Sequence, residues 1–214
     1  YPVGYNTRNI ISVMGDDYKK YIDELSQMHF VEKVGIASNS FIRHVYPQEL
    51  HGINWVPLRM DQNAFDMLGI KVKEYLELSG VSLQNAYTTE KGLQLAASLN
   101  MSAWENKYIG ILEDVHFGSV KEISSENTIF DIVIKDDYSQ YFRGNILIKV
   151  SGDQDEAKEQ IRKFFMEKGE DTPQLTIQTL EEANLMNYEE ESQLMRLVAV
   201  FSLISILLTA LAIV

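Results

Sequence analysis

The chain has 214 residues, which is enough for one sizeable domain or for two small ones with real cores. It carries 19 Lys and Arg against 31 Asp and Glu, a formal net charge of −12, and no basic stretch offsets this locally, so we expect no nucleic-acid partner. Cysteine is absent, which excludes disulfides, thiolate metal sites and a cysteine nucleophile.

A strand–helix–strand unit is predicted near the start of the chain. Asn9 to Met14 is short, apolar and β-rich, which is typical of a strand, and Val31 to Ala37 resumes in the same way. Between them, after a turn at Gly15-Asp-Asp17, apolar side chains recur at the spacing of an amphipathic helix, namely Tyr18, Tyr21, Ile22, Leu25 and Met28. This stretch therefore predicts one βαβ unit.

A second unit with the same plan is predicted far downstream. Its strands are Asn145 to Val150 and Leu175 to Thr179. Its helix follows the turn Ser151-Gly-Asp153 and carries an apolar stripe of Ala157, Ile161, Phe164 and Phe165. Two such units commonly pair into one four-stranded sheet backed by two helices, the split βαβ or ferredoxin-like plan. We therefore predict an α+β fold whose two halves are residues 1–49 and 144–180.

A smaller α+β subdomain is predicted between these halves, over residues 50–143. Its predicted strands are Asn54 to Met60, Tyr108 to Leu112 and Thr128 to Ile134. Its predicted helices are Gln62 to Leu68 and Thr89 to Leu99. No low-complexity linker separates it from the halves, so it is predicted as an insertion into the first subdomain.

The end of the chain predicts a stalk helix followed by a membrane helix. Residues 181–196 are rich in Glu, Leu, Met and Gln without Gly or Pro, which favours a helix, although Asn184 and Asn187 leave a hinge as the alternative. Leu197–Val214 carries no charge and spans about 27 Å as a helix, close to the hydrocarbon thickness of a bilayer; a buried core helix is the alternative. Its Lys/Arg-poor flank favours the non-cytoplasmic side.

The motifs of common catalytic and cofactor sites are missing from the sequence. The four histidines, His29, His44, His51 and His116, form no metal-binding pattern. There is no Gly-x-Ser-x-Gly elbow and no phosphate-binding Gly-x-x-x-x-Gly-Lys-Ser/Thr loop. We therefore expect no cofactor and no metal here, and any nucleotide chemistry must sit on another segment or chain.

One stretch resembles a known family. Gly110-Ile-Leu-Glu-Asp-Val-His-Phe-Gly-Ser-Val-Lys-Glu122 is similar to the Gly-Val-Val-x-Asp-Phe-His-Phe-Gly-Ser-Leu-His-Glu signature of Bacteroidetes FtsX-like ABC transporter permeases, which lies in their MacB-like periplasmic core domain. The matching residues that we take as structural signature positions are Gly110, Asp114, His116, Phe117 and Gly118. Gly4 to Ile11 resembles the family's Gly-Phe-Asn-x-x-Asn-Val motif after the first membrane helix, and Tyr188 to Leu194 resembles the run that leads into the second.

The resemblance implies a non-catalytic, porter-like extracytoplasmic domain between two membrane helices. Such permeases pair as dimers, bind a separate cytoplasmic ATPase and relay ATP-driven movement across the membrane. It implies that residues 1–193 face the periplasm from the inner membrane, and that the membrane boundary lies at Tyr188, Glu189, Glu191 and Arg196. Two alternatives from other classes are a ligand-sensing domain of a membrane receptor and a membrane-anchored hydrolase that uses Asp114 and His116.

Overall fold

The computed structural model of the chain describes residues 4–14, 18–38, 48–50, 53–76, 85–98, 108–113, 115, 128–134, 144–170, 175–186 and 189–213. The strands are β1 (Ile10–Met14), β2 (Val31–Ser38), β3 (Gln48–Leu50), β4 (Ile53–Met60), β5 (Val72–Tyr75), β6 (Asn85–Thr89), β7 (Tyr108–Leu112), β8 (Thr128–Ile134), β9 (Gly144–Val150) and β10 (Thr176–Thr179). The helices are α1 (Ile22–Ser26), α2 (Gln62–Leu68), α3 (Glu90–Ser98), α4 (Gln154–Glu167), α5 (Leu180–Met186) and α6 (Glu189–Ile213).

The two predicted βαβ units interleave in one sheet. The strand β1 lies between β9 and β10 and is antiparallel to both, while β9 lies between β1 and β2. Consequently β1 and β2 run parallel with a strand of the second unit between them, and β9 and β10 run parallel with β1 between them. This is the split βαβ arrangement. Together with the mixed pairing of the remaining strands, it confirms the α+β class.

The strands of the intervening residues extend the same sheet. The strand β4 joins β2 through the pair Ala37–Met60, and the order continues through β8, β6 and β7 to β5. The pairs β4–β8 and β6–β7 are parallel, whereas β6–β8 and β5–β7 are antiparallel. The three strands predicted here are present. The boundaries of a separate subdomain at residues 50–143 stay a prediction, because the sheet is continuous across them.

Each face of the sheet has its own core. Along β1, Ile11 and Val13 point into a cluster covered by α1 and α4, while Ile10 and Met14 point into the opposite one. All five residues of β1 are buried, since both faces of this strand are covered. A strand buried on both sides reads as a continuous apolar run, which is why Ile10–Met14 could be predicted without an alternating pattern.

The first core lies between the sheet and the helices α1 and α4, and it joins these two helices. Leu25 of α1 packs with Ile161 and Phe165 of α4, and all three are completely buried. The Tyr21 ring meets Phe165 edge-on at 5.6 Å, and its hydroxyl donates a hydrogen bond to Glu170 Oε1 at 2.9 Å. The two units are therefore tied together by both apolar packing and a polar contact.

The second core is shared by the split βαβ sheet and the inserted strands. It contains Ile10 and Leu147 from the first part together with Leu58 and Ile132 from the inserted part. The helix α2 closes this core by lying across β2 at Gly35, where a Cβ atom would stand 2.5 Å from the backbone nitrogen of Ala64. The two parts are thus closely packed against each other in this core.

Candidate functional site

Both ends of the domain leave the sheet on the same side. In the antiparallel pair β1–β10, Ile11 lies opposite Thr179 and Met14 lies opposite Thr176, so β1 begins where β10 ends. The strand β9 also ends there, because the Val150 amide donates a hydrogen bond to the Asn9 carbonyl at 2.9 Å. The N-terminal segment (residues 4–9) and α5 therefore lie at one end of the molecule.

The helix α5 is anchored in the second core. Leu180 is completely buried and Ala183 is 2 % exposed, and both belong to the cluster that includes Ile10 and Leu147. Leu185 and Met186 on the outward face are 71 % and 63 % exposed. The spacing of Leu180 and Ala183 puts them on one helix face, which fixes the orientation of α5 on the sheet.

A capping box fixes the first turn of α5. The Glu182 amide donates a hydrogen bond to Thr179 Oγ1 at 3.0 Å, and the Thr179 amide donates one to Glu182 Oε2 at 2.7 Å. Two amides that would otherwise lack an intrahelical partner are thereby satisfied. The sequence Thr-x-x-Glu is the signal by which this helix start could have been found.

An ion pair ties α5 to α4. Lys158 Nζ lies 2.8 Å from Glu182 Oε1, and the lysine side chain is only 16 % exposed. The hydrogen bond from Lys158, followed by the bond from the Thr179 amide, lowers the pKa of the Glu182 carboxyl. The same contact with Glu182 raises the pKa of Lys158, against the opposing effect of its burial. Glu182 therefore holds the helix to β10 and to α4 at once.

We expect Glu182→Ala to lower the free energy of unfolding by about 1 kcal/mol, since it removes both the cap and the ion pair. Glu182→Gln keeps a capping side chain and removes only a pair that is half exposed, so it should cost about 0.5 kcal/mol. Urea denaturation of both variants at pH 7 measures the difference. Equal costs for the two variants would contradict the assigned role of the cap.

The same pair predicts how this stability depends on pH. Because folding lowers the pKa of Glu182, its contribution is complete above the unfolded value of about 4.3 and is lost as the pH falls through the folded value. Because folding raises the pKa of Lys158, its contribution is complete below about 10.4 and is lost as the pH rises through the folded value. The deficit of Glu182→Gln should therefore be constant from about pH 5 to 10 and shrink at pH 3.

The N-terminal segment contacts α5 and α2. The Tyr5 hydroxyl donates a hydrogen bond to Asn184 Oδ1 at 2.9 Å, and its ring packs against the second core. The Asn6 amide donates a hydrogen bond to the Leu68 carbonyl at 2.6 Å. The sequence did not predict these contacts or the one made by Lys158, because each contact joins positions that are far apart in the chain. Asn184, which the sequence offered for a hinge, lies within α5.

The helix α6 carries the predicted boundary residues. Glu189 and Glu191 lie in its first turn, Arg196 is exposed on its surface, and Tyr188 lies outside the described residues. The helix is unbroken from Glu189 to Ile213. The stalk helix over residues 181–196 stays a prediction, because residues 187–188, between α5 and α6, lie outside the described part.

The apolar side chains of α6 are exposed where the structure describes them. Phe201 is 65 % exposed and Leu203 is 60 % exposed. Over the described residues, no helix meets the length and hydropathy needed to cross a membrane. The side chains of residues 206–213 and all of residue 214 lie outside that description.

Of the five signature positions, only Gly110 is described. It lies in β7, where a Cβ atom would stand 3.0 Å from the Glu74 carbonyl oxygen, from the Tyr87 ring and from Val72. These distances are shorter than ordinary van der Waals contacts, so the close packing explains why residue 110 is a glycine. The remaining signature positions, Asp114, His116, Phe117 and Gly118, lie outside the described residues, and their roles stay predictions.

A shallow pocket of about 200 Å³ lies beside the first turn of α4. Its lining includes His29, Phe30, Gly152, Asp153 and Gln160. It is smaller than the cavities of about 300–1,000 Å³ that usually bind small molecules. Within the described ranges, no group of three or more His, Asp or Glu side chains is placed to hold a metal ion.

Comparisons with known proteins give solved structures as neighbours. No protein-family model matches the chain, and no curated protein matches it. The chain is similar to the extracellular domain of the noncanonical ABC-type transporter YknZ from Gram-positive bacteria, at 10 % identity over 79 % of this chain and 100 % of that one, with a TM-score of 0.49.

Two further neighbours are similar over comparable lengths. The periplasmic region of MacB from Actinobacillus actinomycetemcomitans is 13 % identical over 86 % of this chain and 94 % of that one, with a TM-score of 0.42. A domain of a protein assigned as a permease from Porphyromonas gingivalis is 11 % identical over 80 % of this chain and 90 % of that one, with a TM-score of 0.45. The YknZ and MacB domains are of the kind that the resemblance of the signature motif implies.

Proposed function

We propose that this chain is the extracytoplasmic domain of an ABC transporter permease, which transmits ATP-driven movement across the membrane for export or efflux. It has no catalytic role of its own. The observation that carries the proposal is that both ends of the domain leave the sheet at one side, with α5 anchored in the core beside the N-terminal segment. A domain held between two membrane helices requires this arrangement, because both helices must approach it from the same membrane surface.

The contacts of α5 support a role in transmission. A pull or rotation applied to α6 reaches α5 first, and α5 is held by the buried side chains of Leu180 and Ala183, by its capping box and by Lys158. A helix fixed at so many points passes movement to the sheet and to α4. A helix without such contacts would absorb the movement in its connection to the sheet.

The sequence of α6 supports its place in the membrane. Leu197–Val214 is uncharged, and as a helix it has about the length of the hydrocarbon layer. The flank before it holds Glu189–Glu191 and a single basic residue, Arg196, which fits the periplasmic side of the inner membrane. Residues 1–193 would then lie in the periplasm.

The proposed partners follow from the family that the chain resembles. These 214 residues contain no phosphate-binding loop motif, and the resemblance implies a separate cytoplasmic ATPase that hydrolyses ATP. The FtsX-like permeases that the signature stretch resembles work in pairs, and we extend this to a second copy of this permease. No cofactor is required for transmission of movement.

A flexible insertion tests the proposal. A short Gly/Ser stretch inserted after Glu191 of the complete permease should abolish the coupled function, because a flexible linker does not transmit rotation or pull. The readout is complementation of a strain that lacks the gene, in the presence of the native ATPase. The isolated domain should unfold at the same urea concentration with and without the insertion.

The matched control is an insertion of about seven residues, two helical turns, with a helix-forming Glu/Ala/Lys composition at the same position. It should retain much of the function, since it preserves a continuous helix and nearly the same rotational phase. Full complementation by the Gly/Ser variant would rule out rigid transmission through α6. The sequence of the gene beyond both ends should show membrane helices on each side, whereas one helix followed by a signalling domain would favour a receptor.

A further inference from the structure

The N-terminal segment lies between two helices that belong to different parts of the fold. On one side, Tyr5 hydrogen-bonds to Asn184 of α5 through its hydroxyl, at 2.9 Å. On the other side, Asn6 hydrogen-bonds to the last turn of α2. Since Tyr5 and Asn6 are consecutive residues, the two contacts are joined through the Tyr5 side chain and one planar peptide unit.

The contact with α2 satisfies carbonyl groups that a helix cannot satisfy by itself. The Asn6 amide donates to the Leu68 carbonyl at 2.6 Å, and its side-chain nitrogen donates to the Met67 carbonyl at 3.5 Å. These are among the last carbonyls of α2, which lack intrahelical partners. Gly69 ends the helix in the left-handed conformation, with φ of 58°. Asn6 thus caps α2 from outside.

The end of α2 leads directly into the inserted strands. Two residues after Gly69, the Lys71 carbonyl accepts a hydrogen bond from the Glu113 amide at 3.0 Å, and β5 begins at Val72. The position of Leu68 therefore affects the start of β5 and the end of β7. A displacement at this point would reach β5, which is at the opposite end of the strand order from β10.

We propose that Tyr5 and Asn6 form a relay that passes movement of α5 to the last turn of α2, and from there to the inserted strands. Both are positioning residues. The relay rests on the proposed function only for the source of the movement; the contacts themselves are a property of the folded domain. Transmission through α6 does not use the motif at Gly4 to Ile11. The relay would give this motif a physical role.

The competing route from α5 to α2 runs through the second core. Leu180 and Ala183 of α5 share that cluster with Met67 and Leu68 of α2. Movement through this packing would not need the Tyr5 hydroxyl. The two routes can be separated, because Tyr5→Phe removes one oxygen atom and keeps the ring in the core, so that the domain still folds.

Amide hydrogen exchange of the 214-residue chain in detergent micelles, read by NMR, tests the relay. In Tyr5→Phe and in Asn184→Ala, the amides of Asn6 and of residues 66–70 should exchange about three- to tenfold faster, the change expected for loss of one hydrogen bond. Amides of β1 and β9 should be unchanged, which shows that the effect is local. Glu182→Gln is the matched control, because it loosens α5 from α4 and leaves the Tyr5 contact in place.

Unchanged exchange at residues 66–70 in both Tyr5→Phe and Asn184→Ala would overturn the relay. An equal acceleration in Glu182→Gln would also overturn it, because movement would then travel through the core. The experiment needs neither the ATPase nor transport, so its failure leaves the proposed function standing. Conversely, full complementation by the Gly/Ser insertion would refute transmission through α6 and would leave the exchange result as it is.

Discussion

Gly35→Ala is expected to lower the free energy of unfolding by about 3 kcal/mol. The new methyl group would stand 2.5 Å from the Ala64 nitrogen and 2.8 Å from Asp61 Oδ1, inside the contact by which α2 lies on β2. A backbone atom cannot turn away as a side chain can, so α2 must shift off the sheet and leave part of the second core unpacked. Urea denaturation of the variant and of the unchanged chain measures the cost.

Gly152→Ala is the matched control for this prediction. A methyl group at Gly152 would meet open space, but the residue has φ of 82°, which a side chain disfavours by about 1–2 kcal/mol. The two variants add the same atom and separate a packing clash from backbone strain. A cost at Gly35 no greater than at Gly152 would mean that α2 is not held against β2 as the structure has it.

Leu180→Ala should lower the free energy of unfolding by about 3 kcal/mol, while Leu185→Ala should change it by less than about 0.5 kcal/mol. The two leucines lie in one helix, but Leu180 is completely buried and Leu185 is 71 % exposed. The alanine at position 180 leaves a cavity beneath the first turn of α5. Denaturation of the two variants side by side tests this, and similar costs would show that α5 is not seated through Leu180.

The split βαβ plan could be predicted because its signals are local. The turn at Gly152-Asp153 forms as predicted: Gly152 has a left-handed φ, and Asp153 Oδ1 accepts hydrogen bonds from the amides of Asp155 and Glu156, which caps α4. The apolar stripe of α4 is buried at Ala157, Ile161 and Phe165. Each of these features depends on residues within a few positions of one another.

Periodicity identified the buried face of the first helix without giving its hydrogen-bond pattern. Tyr21 and Leu25 are buried, as the stripe predicts. The helix predicted from Tyr18 to Met28 is instead a 3-10 turn, Tyr18–Tyr21, followed by a single α-helical turn, Ile22–Ser26. A spacing of three or four residues is compatible with either backbone, so the sequence pattern alone does not distinguish them.

The strands β3, β5 and β6 were not predicted from the sequence. The strand β5 holds Lys73, Glu74 and Tyr75, all exposed, and it pairs only with β7 among the described strands. A short, polar strand at the edge of a sheet lacks both the apolar run and the strict alternation by which strands are recognised. Its position depends on partners that lie more than thirty residues away, Gly110 to Leu112.

The candidate site likewise contains one feature that could be predicted from the sequence and one that could not. The capping box at Thr179 and Glu182 follows a local pattern and could have been found from the sequence. The bond between Tyr5 and Asn184 joins residues 179 positions apart, and it exists only because β1 and β10 pair in the observed register. Long-range polar contacts of this kind form only once the sheet is complete, so no local sequence pattern predicts them.

The position of β1 between β9 and β10 sets the order in which the protein can assemble. The strand is complete by Met14, yet both of its described neighbours are supplied by residues 144–179. During synthesis, this buried strand, apolar except for Ser12, has no described partner until β9 begins at Gly144, and its second partner is complete only at Thr179. Pairing between such distant segments is slow, and unpaired apolar strands are prone to aggregation. Until β9 and β10 have been made, β1 therefore lacks both of the described strands with which it pairs.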